Sequence, residues 1–359
     1  MKNSFLIILL ILFSFSSVKA QENPSWAKET KEEKAKRMAW WTHDRFGMFI
    51  HWGIYSMPAR HEWVQLYEKI SAADYQKYFD NFDPDLYEPK EWAAKAKAAG
   101  MKYVVITTKH HDGFCLWDSR ATNYDVASSG NPTNVVKKVS EECERQGIGL
   151  GLYYSLWDVK QNDNVADSTL DKDYNKYILA QLSELVYIVQ KHTQLVELWL
   201  DGCWMKPNYR WPLDEIYKMV KEKAPQCQIG VNWSIGLPED PDKHYVLPSE
   251  QKEGYPIRYF PSDFRLGDPY LPSNPDPKLF THNGKTYYMP WESTVCLSEK
   301  WFFNTEDSIF KSIDELAIYY TRATAQNNIL ILNTSPNREG RIRDREVQIL
   351  MDLRDHLNL

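Results

Sequence analysis

Six short apolar runs recur along the chain, and segments of helical character separate most of them. Continuous apolar runs of this length are typical of strands that are buried on both faces, as in a parallel sheet covered by helices. Two more strands are predicted near residues 245–247 and 287–289, where short apolar and aromatic stretches lie between turn-forming residues. The six clear runs are RFGMFI, KYVVITTK, GIGLGLYYS, VELWLD, QIGVN and NILILN.

Helix signals occupy the intervals between these runs. Pro89 lies in the first turn of an Ala-rich segment, Asn134 is in position to cap the next helix, and Ser312 begins a capping-box sequence. Apolar residues at helical spacing predict further helices at 178–189 and 214–221. Eight strands with intervening helices predict a parallel (β/α)8 barrel of the TIM type.

A doubly wound open sheet is the alternative architecture. No GxGxxG sequence follows the first predicted strand, so a dinucleotide-binding domain is not expected. Residues 238–285 are rich in Pro, Gly, Asp and aromatic residues and predict long loops, which inside a compact domain usually carry function.

The amino terminus is typical of a secretory signal peptide. An apolar segment follows Lys2, and small residues lead up to a cleavage site after Ala20. We therefore expect residues 1–20 to be removed and the protein to act in a periplasm or outside the cell. No second apolar segment is long enough to span a bilayer, so no membrane anchor is expected.

Composition narrows the range of ligands. The 359-residue chain has a net charge of −6 and no basic run, which argues against a nucleic-acid partner. Its 14 Trp and 22 Tyr residues favour a carbohydrate ligand, because aromatic rings stack on the apolar faces of sugars, although an aromatic-rich core would have the same composition. The five cysteines are scattered and predict neither a disulfide framework nor a metal site.

Polar or ionisable side chains stand where five of the predicted strands end. Asp201 closes an apolar run, and Gly202 marks the point where the chain leaves the sheet. Because the carboxyl ends of barrel strands meet at one rim, we expect these side chains to form one site. The other strand-end residues are His51, His110, His111, Tyr153, Tyr154 and Asn232.

One chemistry that fits these residues is metal-assisted hydrolysis, with a divalent ion held by histidines and Asp201. Adjacent residues of a regular strand point to opposite faces, so His110 and His111 are not both expected to reach one ion. We therefore expect no metal and no other cofactor.

The second chemistry is glycoside hydrolysis, which places two carboxyl groups across the scissile bond. Asp201 would be the ionised carboxylate. Glu292 is the preferred partner because it follows Trp291, whose apolar ring would raise the pKa of an acid. The full set of candidates for the second carboxyl is Glu62, Glu250, Glu253 and Glu292.

Five motifs resemble the retaining α-L-fucosidases of glycoside hydrolase family 29: RFGMFIHWGIYS, KYVVITTKHHDGFCLWDS, GLYYSLW, ELWLDG and PWES. The resemblance runs from about Trp41 to Ile342. It implies a (β/α)8 catalytic domain over residues 21–359 and an exported enzyme that removes terminal α-L-fucosyl groups from oligosaccharides or glycoconjugates. The resemblance also implies that no cofactor is needed.

The motifs also imply roles for individual residues. Asp201 resembles the family's nucleophile and Glu292 its general acid/base, with Glu250 as the alternative acid/base. The residues that resemble those holding fucose are His51, Glu62, Trp63, His110, His111, Tyr154 and Trp199.

Several questions stay open at this point. Members of the family commonly carry a C-terminal β-sandwich, and we expect the barrel alone here. The linkage preference, the natural glycan and the oligomeric state are not predicted. A fucose-binding protein without turnover and a metal-dependent barrel hydrolase are the alternative functions.

Overall fold

The computed structural model describes residues 29–83, 88–130, 132–162 and 170–359. The expected signal peptide lies outside the described residues. No helix among the described residues is long and apolar enough to cross a bilayer.

Eight parallel strands form a nearly closed barrel, and neighbours along the chain are neighbours in the sheet. The first and last strands of the barrel also pair with each other, so that the sheet curls round on itself. They are β1 (Phe46–Ile50), β2 (Tyr103–Lys109), β3 (Gly149–Ser155), β4 (Leu195–Asp201), β5 (Gln228–Asn232), β6 (Phe264–Leu266), β9 (Glu292–Cys296) and β10 (Ile329–Thr334). The remaining two strands, β7 (Leu279–His282) and β8 (Lys285–Tyr288), form a separate antiparallel hairpin.

The barrel closes between β6 and β9 through a short stretch of pairing. The backbone N–H of Arg265 donates to the carbonyl of Pro290 at 2.8 Å, and Arg265 forms a parallel bridge with Trp291. The predicted (β/α)8 barrel is thus confirmed, and the open doubly wound sheet is excluded.

All six apolar runs are barrel strands, but the other two predicted strands are not part of the barrel. Residues 245–247 lie in an irregular loop, and residues 287–289 overlap a strand of the hairpin outside the barrel. The true sixth barrel strand has only three residues, and the seventh reads ESTVC. Neither carries the continuous apolar run by which the other six were recognised.

Helices cover the outside of the barrel. Pro89 is the first residue of its helix, and the side chains of Asn134 and Ser312 accept N-cap hydrogen bonds as predicted. The α-helices are α1 (Lys31–Asp44), α2 (Val64–Tyr67), α3 (Ala72–Asp80), α4 (Pro89–Ala98), α5 (Val135–Gln146), α6 (Val159–Asn162), α7 (Lys172–Gln190), α8 (Leu213–Lys223), α9 (Ile313–Thr324) and α10 (Asp344–Leu357).

Two connections depart from strict strand–helix alternation. Residues 233–263 and 267–291 are fully described and contain no α-helix. Their Pro, Gly and Asp content favours turns, as predicted for residues 238–285. Long loops therefore follow β5 and β6, on the side of the barrel where the strand-end side chains emerge.

Large rings fill the barrel interior. Phe49, Tyr103, Tyr153, Trp199 and Phe264 are all at most 2% exposed and belong to one packed cluster. A TIM-type barrel is a packed core rather than a pore, and its upper layer of side chains becomes the floor of any site above it. The five cysteines are buried free thiols.

Candidate active site

A cavity of about 470 Å³ opens at the carboxyl end of the barrel. This is the rim at which TIM-barrel enzymes place their ligands. Its lining comes from residues at or just beyond the ends of β1 to β6, from α2, and from the loop after β9. The lining residues used below are His51, Glu62, Trp63, His110, His111, Tyr153, Trp199, Asp201, Asn232, Asp268, Trp301 and Phe302.

Asp201 ends β4 and is 7% exposed. Tyr153 donates to its Oδ2 at 2.7 Å, and the indole N–H of Trp204 donates to its Oδ1 at 3.0 Å. The backbone N–H of Gly202 donates to Oδ1 at 2.8 Å, and φ of this residue is 82°, in the region that favours glycine. The carboxylate is thus held in one orientation with its charge partly satisfied.

Asp268 is the second carboxyl at the bottom of the cavity, just beyond β6. The side-chain amide of Asn232 donates to Asp268 Oδ1 at 2.7 Å and to Asp201 Oδ1 at 3.1 Å. Burial and the nearby negative charge of Asp201 raise the pKa of Asp268 to about 7. Asp201, which is held by hydrogen-bond donors, is suited to act as a nucleophile. Asp268, whose pKa is raised, is suited to act as a proton donor.

Two histidines present acceptor nitrogens to the cavity. The amide N–H of Asn333 donates to the Trp301 carbonyl, so its Oδ1 accepts from Nδ1–H of His51 at 2.6 Å. The hydroxyl of Ser155 donates to the Trp157 carbonyl, and its oxygen accepts from Nδ1–H of His111 at 2.6 Å. The Nε2 atom of each ring is therefore an acceptor.

Burial keeps these rings neutral. It lowers the pKa of His51 to about 3 and that of His111 to about 4, although Asp201 opposes the second shift. His110, which is also desolvated and lies beside the other two, has a pKa well below its ordinary value. Neutral imidazoles suit the recognition of uncharged hydroxyl groups.

Both adjacent histidines line the cavity, whereas a regular strand would point their side chains to opposite faces. β2 ends at Lys109 after a register shift next to Thr107, so His110 and His111 lie in the turn that follows the strand. Among the described residues, no group of three or more His, Cys, Asp or Glu side chains is arranged to hold a metal ion.

The structure brings most of the sequence-predicted residues together and leaves two of them elsewhere. The predicted residues that line the cavity are His51, Glu62, Trp63, His110, His111, Trp199 and Asp201. Tyr154 and Glu292 do not line it.

Glu292 lies beneath the cavity instead of in it. It is the first residue of β9, at the amino end of the strand, and is 1% exposed. Its Oε1 accepts from the indole N–H of Trp199 at 3.1 Å. The ring of Trp199 forms part of the cavity floor, so Glu292 touches the site only through that ring.

Glu292 shares its buried position with Glu197. The indole N–H of Trp41 donates to Glu197 Oε2 at 3.2 Å, and the other oxygen of each glutamate has no partner outside the pair. Burial and the charge of Glu197 raise the pKa of Glu292 well above its ordinary value. Its position in the barrel therefore favours the neutral form of Glu292, with the carboxyl of Glu197 close beside it.

Tyr154 points out of the barrel, and Tyr153 takes the place expected for it. Side chains alternate along a strand, and Tyr153 is in register with Trp199 while Tyr154 is in register with Leu200. The Tyr154 hydroxyl accepts from the buried ammonium of Lys109 at 2.9 Å, behind the strand.

The other two glutamates considered as acids have structural partners. Glu250 forms an ion pair with Lys243 and accepts from the backbone N–H of Leu247, and the Lys243 hydrogen bond lowers its pKa. Glu253 accepts from two backbone N–H groups at the start of β7. Neither lines the cavity, which leaves Glu62 and Asp268 as the carboxyl groups that accompany Asp201.

The sequence analysis missed Asp268, Trp301 and Phe302. Asp268 follows a three-residue strand and precedes Pro269, so it has the appearance of a turn residue. Trp301 and Phe302 lie on the loop after β9, which was not recognised as a strand. If β6 had been predicted, Asp268 would have been recognised as a polar residue just beyond a strand end, as the other site residues were.

Comparison with known proteins finds α-L-fucosidases among the relatives of this chain. The sequence model of the α-L-fucosidase family matches residues 12–359. A curated rice protein named putative α-L-fucosidase 1 (Oryza sativa subsp. japonica) is 28% identical over 328 residues, which are 87% of this chain and 56% of the relative. The chain therefore spans just over half the length of that relative.

Solved structures give the same result. The α-L-fucosidase isoenzyme 1 from Paenibacillus thiaminolyticus is 29% identical, with a TM-score of 0.73 over 90% of this chain and 76% of that one. An α-L-fucosidase from Lactobacillus casei in complex with its α-L-fucose product is 23% identical, with a TM-score of 0.66 over 90% of this chain and all of that one. The second comparison supports the barrel fold alone.

Proposed function

The chain belongs to the α-L-fucosidase family, and we propose that it hydrolyses terminal α-L-fucosyl linkages of glycans with retention of configuration. In this proposal Asp201 is the nucleophile and Asp268, not Glu292, is the general acid/base. The observation that carries the assignment is the pair of carboxyls bridged by Asn232 at the bottom of the cavity.

The spacing of the pair favours a covalent intermediate over a single displacement by water. Both Oδ1 atoms bond to one nitrogen, so they are at most about 6 Å apart. Retaining glycosidases place their carboxyls about 5 Å apart, whereas inverting enzymes need a wider gap for water. The separation of about 5 Å that is typical of retaining enzymes lies within this upper limit of about 6 Å.

The protonation states of the two carboxyls support the assignment of Asp268 as acid/base and Asp201 as nucleophile. About half of the Asp268 carboxyls would carry a proton at pH 7, because burial and Asp201 raise the pKa to about 7. It would protonate the leaving oxygen while Asp201 attacks the anomeric carbon, and its carboxylate would then take a proton from the water that releases fucose. Tyr153 and Trp204 hold the Asp201 carboxylate at the end of β4, where it lines the cavity.

The walls of the cavity suit a 6-deoxy sugar. Neutral imidazoles of His51 and His111 offer acceptors for hydroxyl groups, while Glu62 adds a carboxylate. The rings of Trp301 and Phe302 lie 5.2 and 5.0 Å from that of His51 and make an apolar wall for a methyl group. We also propose export from the cytoplasm, on the amino-terminal sequence alone.

Release of free L-fucose by the purified protein tests this function. The substrates are an aryl α-L-fucoside and oligosaccharides fucosylated through α-1,2, α-1,3, α-1,4 and α-1,6 linkages, with EDTA present. We expect release from at least one glycan, and an Asp201→Asn variant of unchanged melting temperature serves as the matched control. A folded wild-type protein that releases no fucose from any substrate would refute the proposal.

A further inference from the structure

Large apolar side chains are exposed around the mouth of the cavity. Tyr67 is 64% exposed, Leu66 46% and Tyr245 45%, and all three line the cavity opening. Single exposed apolar residues are common on protein surfaces, but a group at the rim of a cavity marks a binding surface. These rings lie above the enclosed part of the site, where the proposed fucosyl group would bind.

The exposed rings belong to a continuous arc, which we call the aromatic arc. Successive ring centroids along it are 6.1, 5.9, 5.6, 5.1 and 6.0 Å apart, so each ring contacts the next. Its members, in order, are Tyr67, Trp63, Trp204, Tyr245, Trp233 and Tyr270, of which the first five line the cavity.

The arc is anchored to the catalytic carboxyls. Trp204 donates to Asp201, and Tyr270 stands two residues beyond Asp268. Partial burial and the charges of Asp201 and Asp268 raise the pKa of Tyr245 to about 12. The middle of the arc therefore contacts the proposed nucleophile, while its exposed members Tyr67 and Tyr245 line the same cavity.

The charge of the site restricts the ligand. The cavity lining contains three carboxyl groups and no Lys or Arg. A sugar that carries a carboxylate or sulfate would be repelled there, while an uncharged pyranose offers apolar C–H faces to the rings. Arrays of exposed Tyr and Trp are suited to this kind of stacking because their rings lose little conformational freedom.

We propose that the aromatic arc binds the neutral sugar units attached to fucose, on the leaving-group side of the scissile bond, with Tyr67 and Tyr245 as its outer stacking surfaces. This inference rests on the proposed function and adds to it the side chains that would bind the leaving-group sugar and favour an uncharged pyranose over a small or anionic group.

Two substrates distinguish binding by the aromatic arc from catalysis at the fucosyl site. α-L-Fucosyl fluoride reports the fucosyl site and the nucleophile because its leaving group has no ring. A fucosylated disaccharide that the wild-type protein hydrolyses reports the arc as well. The ratio of kcat/KM for the disaccharide to kcat/KM for the fluoride measures the contribution of the leaving-group sugar.

We expect this ratio to fall about threefold to tenfold in Tyr67→Ala and in Tyr245→Ala, mainly through KM of the disaccharide. The conservative variants Tyr67→Phe and Tyr245→Phe keep the ring and should restore most of the ratio. Ile318→Ala is the matched control, since Ile318 is 62% exposed on α9 and does not line the cavity.

A ratio unchanged from wild type in both alanine variants would overturn the arc while leaving the fucosidase function intact. Equal losses on both substrates would also overturn it, because the rings would then act on the fucosyl site. A wild-type protein that hydrolyses neither substrate would instead overturn the proposed function, together with the inference that rests on it.

Discussion

Asp201 and Asp268 accept hydrogen bonds from the same nitrogen, Nδ2 of Asn232. The shared donor holds the buried carboxyl of Asp201 near the partly exposed carboxyl of Asp268, although their negative charges would repel if both were ionised. The proton that resolves this conflict resides on Asp268, whose pKa is raised to about 7.

Replacing the proposed acid should affect substrates according to their leaving groups. Asp268→Asn is expected to lower kcat/KM for fucosylated oligosaccharides by about 100- to 10,000-fold, because the departing oxygen then leaves unprotonated. Fucosyl fluoride, which needs little protonation, should lose far less. Added azide should restore turnover of an aryl fucoside as fucosyl azide, since the small nucleophile enters without base assistance.

Glu250→Gln is the matched control for this experiment, since Glu250 is paired with Lys243 away from the cavity. Comparable losses on oligosaccharides and on the fluoride in Asp268→Asn would indicate a binding role for Asp268 and would return attention to Glu62.

The pH dependence of activity should show the protonation of Asp268. Above pH of about 7, kcat/KM for an oligosaccharide is expected to fall about tenfold per pH unit, because the acid loses the proton that it must donate. Stopped assays from pH 5 to about 9 measure this limb. The Asp268→Asn variant should lack it, and a limb that persists in the variant would place the titrating group elsewhere.

Substitution of two neighbouring tyrosines of β3 should have different effects, one on catalysis and the other on stability. Tyr153→Phe removes the 2.7 Å hydrogen bond to Asp201 and should lower kcat/KM for the fluoride about tenfold. Tyr154→Phe removes a hydroxyl from the buried Lys109 ammonium, and unfolding should become easier by about 1 to 3 kcal/mol. Kinetics on the fluoride and urea unfolding curves compare the two, and the opposite assignment of effects would mean that Tyr154 faces the sugar.

The protonation of Glu292 should affect how the stability of the protein depends on pH. Its pKa in the folded protein is raised above the ordinary 4.5, so the stabilisation by its proton is complete below about pH 4.5 and is lost as the pH rises. Glu292→Gln keeps an acceptor for Trp199 and has no proton to lose. We expect the melting temperature of wild type to fall more steeply than that of the variant between about pH 5 and 8. Parallel curves would show that Glu292 is ionised in the fold.

The sequence predicted the barrel because six strands carry the signal of a sheet buried on both faces. Asp201 was also predicted from this pattern, because an acidic residue at the end of an apolar strand contributes little to packing. The adjacent His110 and His111 were predicted in the site, although only the end of β2 at Lys109 explains how both reach it.

The second carboxyl could not be found in this way. β6 is three residues long, and β9 begins with three polar residues, Glu292, Ser293 and Thr294, so neither strand was recognised. Without β9, Glu292 was interpreted as a loop residue at the rim, whereas the amino end of a strand lies at the opposite end of the barrel. The pKa of Asp268 depends on burial and on Asp201, and both are properties of the folded structure.

Covalent trapping with 2-deoxy-2-fluoro-α-L-fucosyl fluoride tests the central claim most directly. The fluorine at C2 slows formation of the intermediate but slows its hydrolysis more, so a retaining enzyme accumulates the glycosyl adduct. We predict an increase in intact mass of one 2-fluorofucosyl group, mapped by peptide mass spectrometry to Asp201 and absent from Asp201→Asn. An adduct on another residue, or none on a protein that releases fucose from glycans, would contradict the account.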